Sequence, residues 1–178
     1  WFRRDLRIAD NAALFHALKL ARRVDCVFVF DRDILSPLIS TGQTADRRLA
    51  FMHASVIELQ QALRDRGSEL IVRHGIASEE IAQLAQRLRV SAVFANEDYE
   101  PQARRRDEAV AQALSQQGQS FETFKDQVIF SKDELLTQNG QPYRVYTPYR
   151  NAWLKKLTPF YLRAYPTERY LNALAPAP

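Results

Sequence analysis

Four clusters of charged and polar residues in this chain each follow an apolar run. Arg3-Arg4-Asp5 comes after Trp1-Phe2, and Asp31-Arg32-Asp33 after residues 24–30. His74-Gly75 follows Leu70-Ile71-Val72 by one residue, and Asn96-Glu97-Asp98 follows residues 92–95. Guanidinium groups and carboxylates gathered in this way can hold a polar ligand through charge-assisted hydrogen bonds. Paired carboxylates can also move protons when burial perturbs their pKa values. Asp31 and Asp33 around Arg32 read equally well as a loop of surface ion pairs. A fifth cluster, Arg104-Arg105-Arg106, is followed by Asp107 and Glu108 and reads as a solvated helix face, with one arginine reaching a ligand over the edge of a sheet as the alternative.

Other chemistries find less support. Cys26 lies in the middle of an apolar run, whereas a reactive thiol needs exposure and nearby cations, so it reads as a buried structural thiol. His16 and His53 fall in helical patterns without metal-ligand spacing, and no metal site is expected. His74 is better placed to touch a ligand, at a strand end before Gly75. Neither G-x-G-x-x-G nor G-x-x-x-x-G-K occurs, which argues against a standard dinucleotide or P-loop enzyme. A phosphate could still meet the N-terminus of a helix starting near Asn11.

The elements that position these clusters follow from periodicity. Residues 24–30 (VDCVFVF) are β-branched and aromatic, as in a strand buried on both faces. Residues 70–72, 92–95 and 121–124 are three more short strands, and Trp1-Phe2 reads as the end of another whose beginning is missing. Helical patterns lie between them. One is capped near Asn11 and runs to about Leu20. A second opens at Asp46 and stops at Gly67, a third starts at Ser78-Glu79-Glu80, and a fourth runs from Pro101 to Gly118. Five strands alternating with four helices predict an α/β fold: a three-layer α/β/α sandwich around a five-stranded, parallel, doubly wound (Rossmann-like) sheet. Such sheets bind ligands at the carboxyl ends of their strands, where the four clusters fall.

Composition sets further bounds. The chain has 178 residues, a formal charge of +4, five glycines and a single cysteine. This is enough for one domain with its own core. It excludes collagenous and disulfide-rich classes, favours a reducing, cytoplasmic setting, and is too weakly basic to imply nucleic-acid binding by itself. No run is long and apolar enough to cross a membrane. After Phe124 the alternation stops. Residues 1–130 are therefore expected to form the α/β domain, and 131–178 a connecting arm. The arm is rich in aromatics (Tyr143, Tyr146, Tyr149, Trp153, Phe160, Tyr161, Tyr165, Tyr170), which suit docking onto a neighbouring domain better than stacking on single-stranded nucleic acid. An opening on Trp1 within a strand and a close on Ala-Pro-Ala-Pro point to a piece of something longer.

Several separated motifs carry a resemblance. WFRRDLRIADN (1–11), NEDYEP (96–101), RRRD (104–107) and YRVYTPYRNAW (143–153) resemble the amino-terminal domain of the DNA photolyase/cryptochrome family, in its order and spacing; the arm is most similar to that of bacterial cyclobutane pyrimidine dimer photolyases. The resemblance implies a domain that holds a light-harvesting antenna pigment. The pigment passes excitation to a reduced FAD in a carboxyl-terminal helical domain outside this chain. There the excited flavin gives an electron to a pyrimidine dimer in DNA, the dimer splits, and the electron returns. On this reading the full-length protein is a lyase, while the present chain alone is inactive and holds no catalytic residue. Its partners are its own helical domain and, through the full-length protein, damaged DNA; it is monomeric and cytoplasmic. A cryptochrome-type blue-light photoreceptor is the alternative within the family, and a nucleotide-binding α/β protein the alternative outside it.

The resemblance also bears on the pigment. Folate-binding relatives have an Asn-Glu pair just after the Tyr-Glu of this loop, the carboxylate meeting the pterin; Gln102 and Ala103 stand there in this chain. Losing one charged acceptor costs about 1.5–3 kcal/mol, about ten- to a hundredfold in affinity. A deazaflavin is therefore favoured over methenyltetrahydrofolate, with a flavin as a third candidate. The implied pigment contacts are Arg3, Asp5, Phe30, Asp31, Asn96, Glu97, Gln102 and Arg104.

Overall fold

The computed structural model describes residues 1–39 and 46–177; the arm expected over 131–178 is therefore described as far as Ala177. Helices flank parallel strands on two faces. In chain order they are α1 (Ala12–Leu20), β1 (Cys26–Asp31), α2 (Arg32–Ile39), α3 (Arg47–Arg64), β2 (Leu70–Gly75), α4 (Ala77–Leu88), β3 (Ala92–Asn96), α5 (Pro101–Ser115), β4 (Ser120–Phe124) and α6 (Tyr146–Lys156). The expected helix caps are present. The Asn11 side chain accepts from the Leu14 N–H at 3.0 Å, and Asp46 accepts from Arg48 N–H at 2.8 Å. Gly67, at φ +72°, supplies the left-handed turn just beyond α3.

Among the described residues the strands pair two by two rather than as one five-stranded sheet. β1 pairs in parallel with β2, and β3 in parallel with β4, as two separate two-stranded sheets. The predicted first strand is too short to make a ladder. Phe2 forms one parallel bridge to Phe28, and the Trp1 amine donates to the Phe94 carbonyl at 2.8 Å. Two residues thus join β1 to β3 at a single level.

Alternation along β1 builds two cores. Cys26 and Phe28 face Leu14, Leu18, Leu59 and Leu63 of α1 and α3. Val27 and Val29 face Ile81 and Leu84 of α4 and Val110 and Leu114 of α5. Burying each such aliphatic side chain contributes about 1.5–3 kcal/mol. Helix α2 has no counterpart in the sequence reading, which placed Asp31-Arg32-Asp33 in a strand-end loop. It is one short amphipathic stretch with Pro37 inside it, and only Leu35 is buried.

The arm is packed rather than extended. Pro159 and Pro166 lead into 3-10 helices over Pro159–Leu162 and Thr167–Ala173. Thr167 is fully buried and its hydroxyl donates to the Ile8 carbonyl at 3.0 Å. Val24 N–H donates to the Ala173 carbonyl, and Ala175 N–H to the Val24 carbonyl, both at 2.8 Å. Tyr165 and Tyr170 pack against Phe15 with ring centroids 5.3 and 5.6 Å away. Tyr146 and Phe160 stay exposed.

Candidate functional site

At the carboxyl end of β3, Asn96 is buried and fully engaged. Its side-chain N–H groups donate to the Asp5 carboxylate at 2.6 Å and to Asn11 Oδ1 at 3.0 Å, while its Oδ1 accepts from Ala13 N–H at 2.8 Å. Asp5 also accepts from Arg3 N–H at 2.7 Å and from the Asn11 side-chain N–H at 3.0 Å. These three residues are a fastener: they tie the loop after Trp1-Phe2 to the end of β3 and to the start of α1.

The same bonds answer the question of a phosphate at α1. Its free N–H groups would form an anion site. Here Ala12 N–H donates to Asp126, Ala13 N–H to Asn96 and Leu14 N–H to Asn11, all within 3.0 Å. The first turn is closed by side chains, and the expectation of a phosphate near Asn11 is not met.

Beside the fastener lies a cationic corner. The Arg3 guanidinium donates to the Asp107 carboxylate and to the Asn96 carbonyl. Arg106 approaches Asp31, which ends β1, at 3.5 Å. Both guanidinium groups stand over the Trp1 ring, 4.9 and 5.7 Å from its centroid, within cation–π range. Burial outweighs the attraction of Arg3 and raises the Asp107 carboxyl above its usual range. Arg106 Nε is buried and, among the described residues, has no hydrogen-bond partner. A buried donor left in this state is a candidate ligand contact.

The structure brings Arg3, Asp5 and Asn96 together, and Asp31 is linked to them through Arg106, which shares the Trp1 ring with Arg3. It places Phe30 at the end of β1, edge-on to Phe28 at 5.0 Å and 6.5 Å from the His53 ring. Glu97 faces Lys132 at 3.4 Å. Gln102 and Arg104 are exposed in the first turn of α5, whereas Ala103 is buried there. His74 is exposed on β2. Cys26 is buried in the core, and burial pushes its thiol up to about 12. His16 stacks on Phe124 at 4.3 Å.

The sequence reading weighs Arg104, Arg105 and Arg106 together but names Arg104 as the contact, and leaves Asp107 as an offsetting surface charge; the structure turns Arg106 and Asp107 inward. The signal was available: in α5 the buried positions are Ala103, Val110 and Leu114, and residues three and four beyond Ala103 share its face. Those residues are Arg106 and Asp107, which leaves Arg104 and Arg105 pointing to solvent.

Parallel strands covered by helices, with buried polar groups gathered at the strand ends, define an α/β domain. Comparison with known proteins is more specific. The DNA photolyase family profile matches residues 1–169, and the chain belongs to that family. It is 36% identical to a deoxyribodipyrimidine photo-lyase of a Synechococcus species over 99% of its own length and 37% of the relative's. Two solved structures superpose on it. A bacterial class III photolyase from Agrobacterium tumefaciens has a TM-score of 0.75 at 28% identity, over 89% of this chain and 31% of that one. An archaeal photolyase from Sulfolobus tokodaii, solved with two FAD molecules and described as implying a novel light-harvesting cofactor, has a TM-score of 0.74 at 31% identity, over 88% of this chain and 34% of that one. The chain thus spans about a third of the length of these relatives.

Proposed function

We propose that this chain is the light-harvesting part of a DNA photolyase, holding an antenna pigment at the carboxyl ends of its strands. When bound, the pigment absorbs light and hands the excitation to a reduced FAD. In this reading residues 131–178 lead to a separate helical domain of a longer cytoplasmic protein, where that FAD and the pyrimidine dimer in DNA are handled, and the full central sheet has five strands.

The observation that carries the pigment site is the corner formed by Arg106, Asp31 and Trp1. It offers an unpartnered buried N–H donor, a charged pair and an aromatic face beside the strand ends. These suit a flat, polar, conjugated ring system, and Phe30 at the end of β1 adds a second aromatic surface. Asp5 and Asn96 act through position, because their hydrogen bonds are spent within the protein. The buried Ala103 lacks the carboxylate for a pterin, which favours a deazaflavin over methenyltetrahydrofolate.

Titrating the chain with a deazaflavin, methenyltetrahydrofolate and FAD, and following absorbance, tests this. The deazaflavin is expected to bind tightest. Tighter folate binding overturns the pigment assignment, and binding of none of the three overturns the antenna reading.

A further inference from the structure

Gly75 ends β2 in register with Asp31, the last residue of β1. Its φ is not positive, so the backbone there does not require glycine. Close approach by a neighbour does. A methyl group on Gly75 would fall 2.5 Å from Glu80 Oε1, 2.7 Å from Glu80 Cγ and 2.9 Å from Glu80 Cδ. Ordinary packing holds such atoms about 3.5–4.0 Å apart. The Glu80 carboxylate, carried on the first turn of α4, therefore lies across the end of β2, where a side chain would otherwise stand.

Alternation along the strands fixes the side. Val27 and Val29 face α4 and α5, and Asp31, two residues on, points the same way. Residues in register on parallel strands share a face, so Glu80 occupies the face that carries Asp31, which Arg106 approaches at 3.5 Å. Glu80 thus borders the corner of Arg106, Asp31 and Trp1. It is half-buried, and among the described residues its carboxylate has neither a hydrogen bond nor an ion pair. Asp31 differs, since it accepts from Asp33 N–H at 3.2 Å and faces Arg106. An acid in a first turn suits the helix dipole, but Glu79 meets that need from an exposed position.

The corner therefore presents a donor and an acceptor: the buried, unpartnered Arg106 Nε–H and the Glu80 carboxylate. An imide edge, with an N–H beside a carbonyl, presents the complementary pair. We infer that Glu80 accepts the ring N–H of such an edge while the neighbouring carbonyl accepts from Arg106 Nε–H, so that the pigment enters imide edge first. In a deazaflavin this edge is the pyrimidinedione with its N3–H. Gly75 is a positioning residue, because the lack of a side chain there leaves room for the carboxylate. A charged acceptor strengthens such a hydrogen bond, and its loss leaves a buried donor unsatisfied. The inference rests on the antenna reading and adds to it one contact and an orientation.

The test pairs 5-deazariboflavin with its 3-methyl derivative, which lacks the N–H, and follows fluorescence as each is titrated into the 178-residue chain. The unmodified chain is expected to prefer the N–H form by about 10- to 100-fold. Glu80→Ala should abolish that preference, and Glu80→Gln, with a neutral acceptor, should keep part of it. Gly75→Ala, which crowds the carboxylate out, should lose the preference as Glu80→Ala does, and combining the two should change nothing further. The inference is overturned if both compounds bind the unmodified chain equally, or if Glu80→Ala keeps the full preference. A lower Tm for Glu80→Ala with selectivity intact would equally overturn it, assigning Glu80 to the helix dipole. If neither compound binds the unmodified chain, the antenna reading falls and this inference falls with it.

Discussion

Asn96 donates its side-chain amide to the Asp5 carboxylate at 2.6 Å, linking residues 91 positions apart in the chain. The bond sits where the end of β3 meets the loop after Trp1-Phe2, and Asn11 joins it from the start of α1. Removing one partner leaves buried polar groups unsatisfied, at about 1–3 kcal/mol. Asn96→Ala should therefore lower Tm by roughly 3–10 °C in a chain of this size. Asn96→Asp should lose more, because it sets a second carboxylate beside Asp5. Thermal unfolding followed by circular dichroism checks both, and an unchanged Tm for Asn96→Ala would show that the network carries no stability.

Arg106 and Arg104 separate the structural reading of the site from the sequence reading. Arg106 is turned inward with a free Nε, while Arg104 is exposed. Arg106→Ala should weaken pigment binding by about 10- to 100-fold, the cost of one charge-assisted hydrogen bond. Arg104→Ala should change it by less than about twofold, as for a solvated charge. Fluorescence titration of the two variants decides which arginine faces the ligand.

What could be read in advance, and what could not, has a physical basis. The strands at Cys26–Asp31 and Leu70–Gly75 and the caps at Asn11 and Asp46 announce themselves through local signals: uninterrupted β-branched runs and side chains that satisfy helix termini. The Asp5–Asn11–Asn96 fastener joins three distant segments and has no local signature, although two of its members were singled out by standing at strand ends. Helix α2 is too short for its period to register. The packing of Thr167 and Leu174 against Ile8 and Val24 is tertiary: prolines there look like a linker until a core accepts them. Arg106 was legible in the helical period of α5 and was passed over for its neighbours.

Cys26 should behave as an inert thiol. Burial holds its pKa at about 12 against an ordinary 9.0, so the native state keeps the proton that the unfolded state releases. The neutral thiol's contribution is then fully present below pH 9 and is lost as pH rises from 9 towards 12. Native protein should react with a disulfide reagent only as fast as it unfolds. Cys26→Ala should decline less steeply in stability between pH 9 and 12 than the parent, after allowance for the cavity it leaves. Rapid labelling of the folded protein at pH 8 would contradict the burial.

The arm's docking should be sensitive to acid. His16 lies flat on Phe124 and edge-on to Tyr165, 5.8 Å away, with Lys19 one turn further along α1. Burial, and secondarily Lys19, lowers its pKa below the usual 6.5, so the folded state favours the neutral ring. The sign follows directly: the stabilisation is present above pH 6.5 and is lost as pH falls through the lower, folded-state pKa. Because Tyr165 N–H also donates to the Asp10 carboxylate at 2.8 Å, loosening of the His16 stack should show first in the arm. Protection factors for amide exchange at residues 165–175 should fall as pH drops below 6.5 while β1 stays protected. His16→Phe, which keeps the stacking and removes the titration, should flatten that response; an undiminished acid response in His16→Phe would assign it to another group.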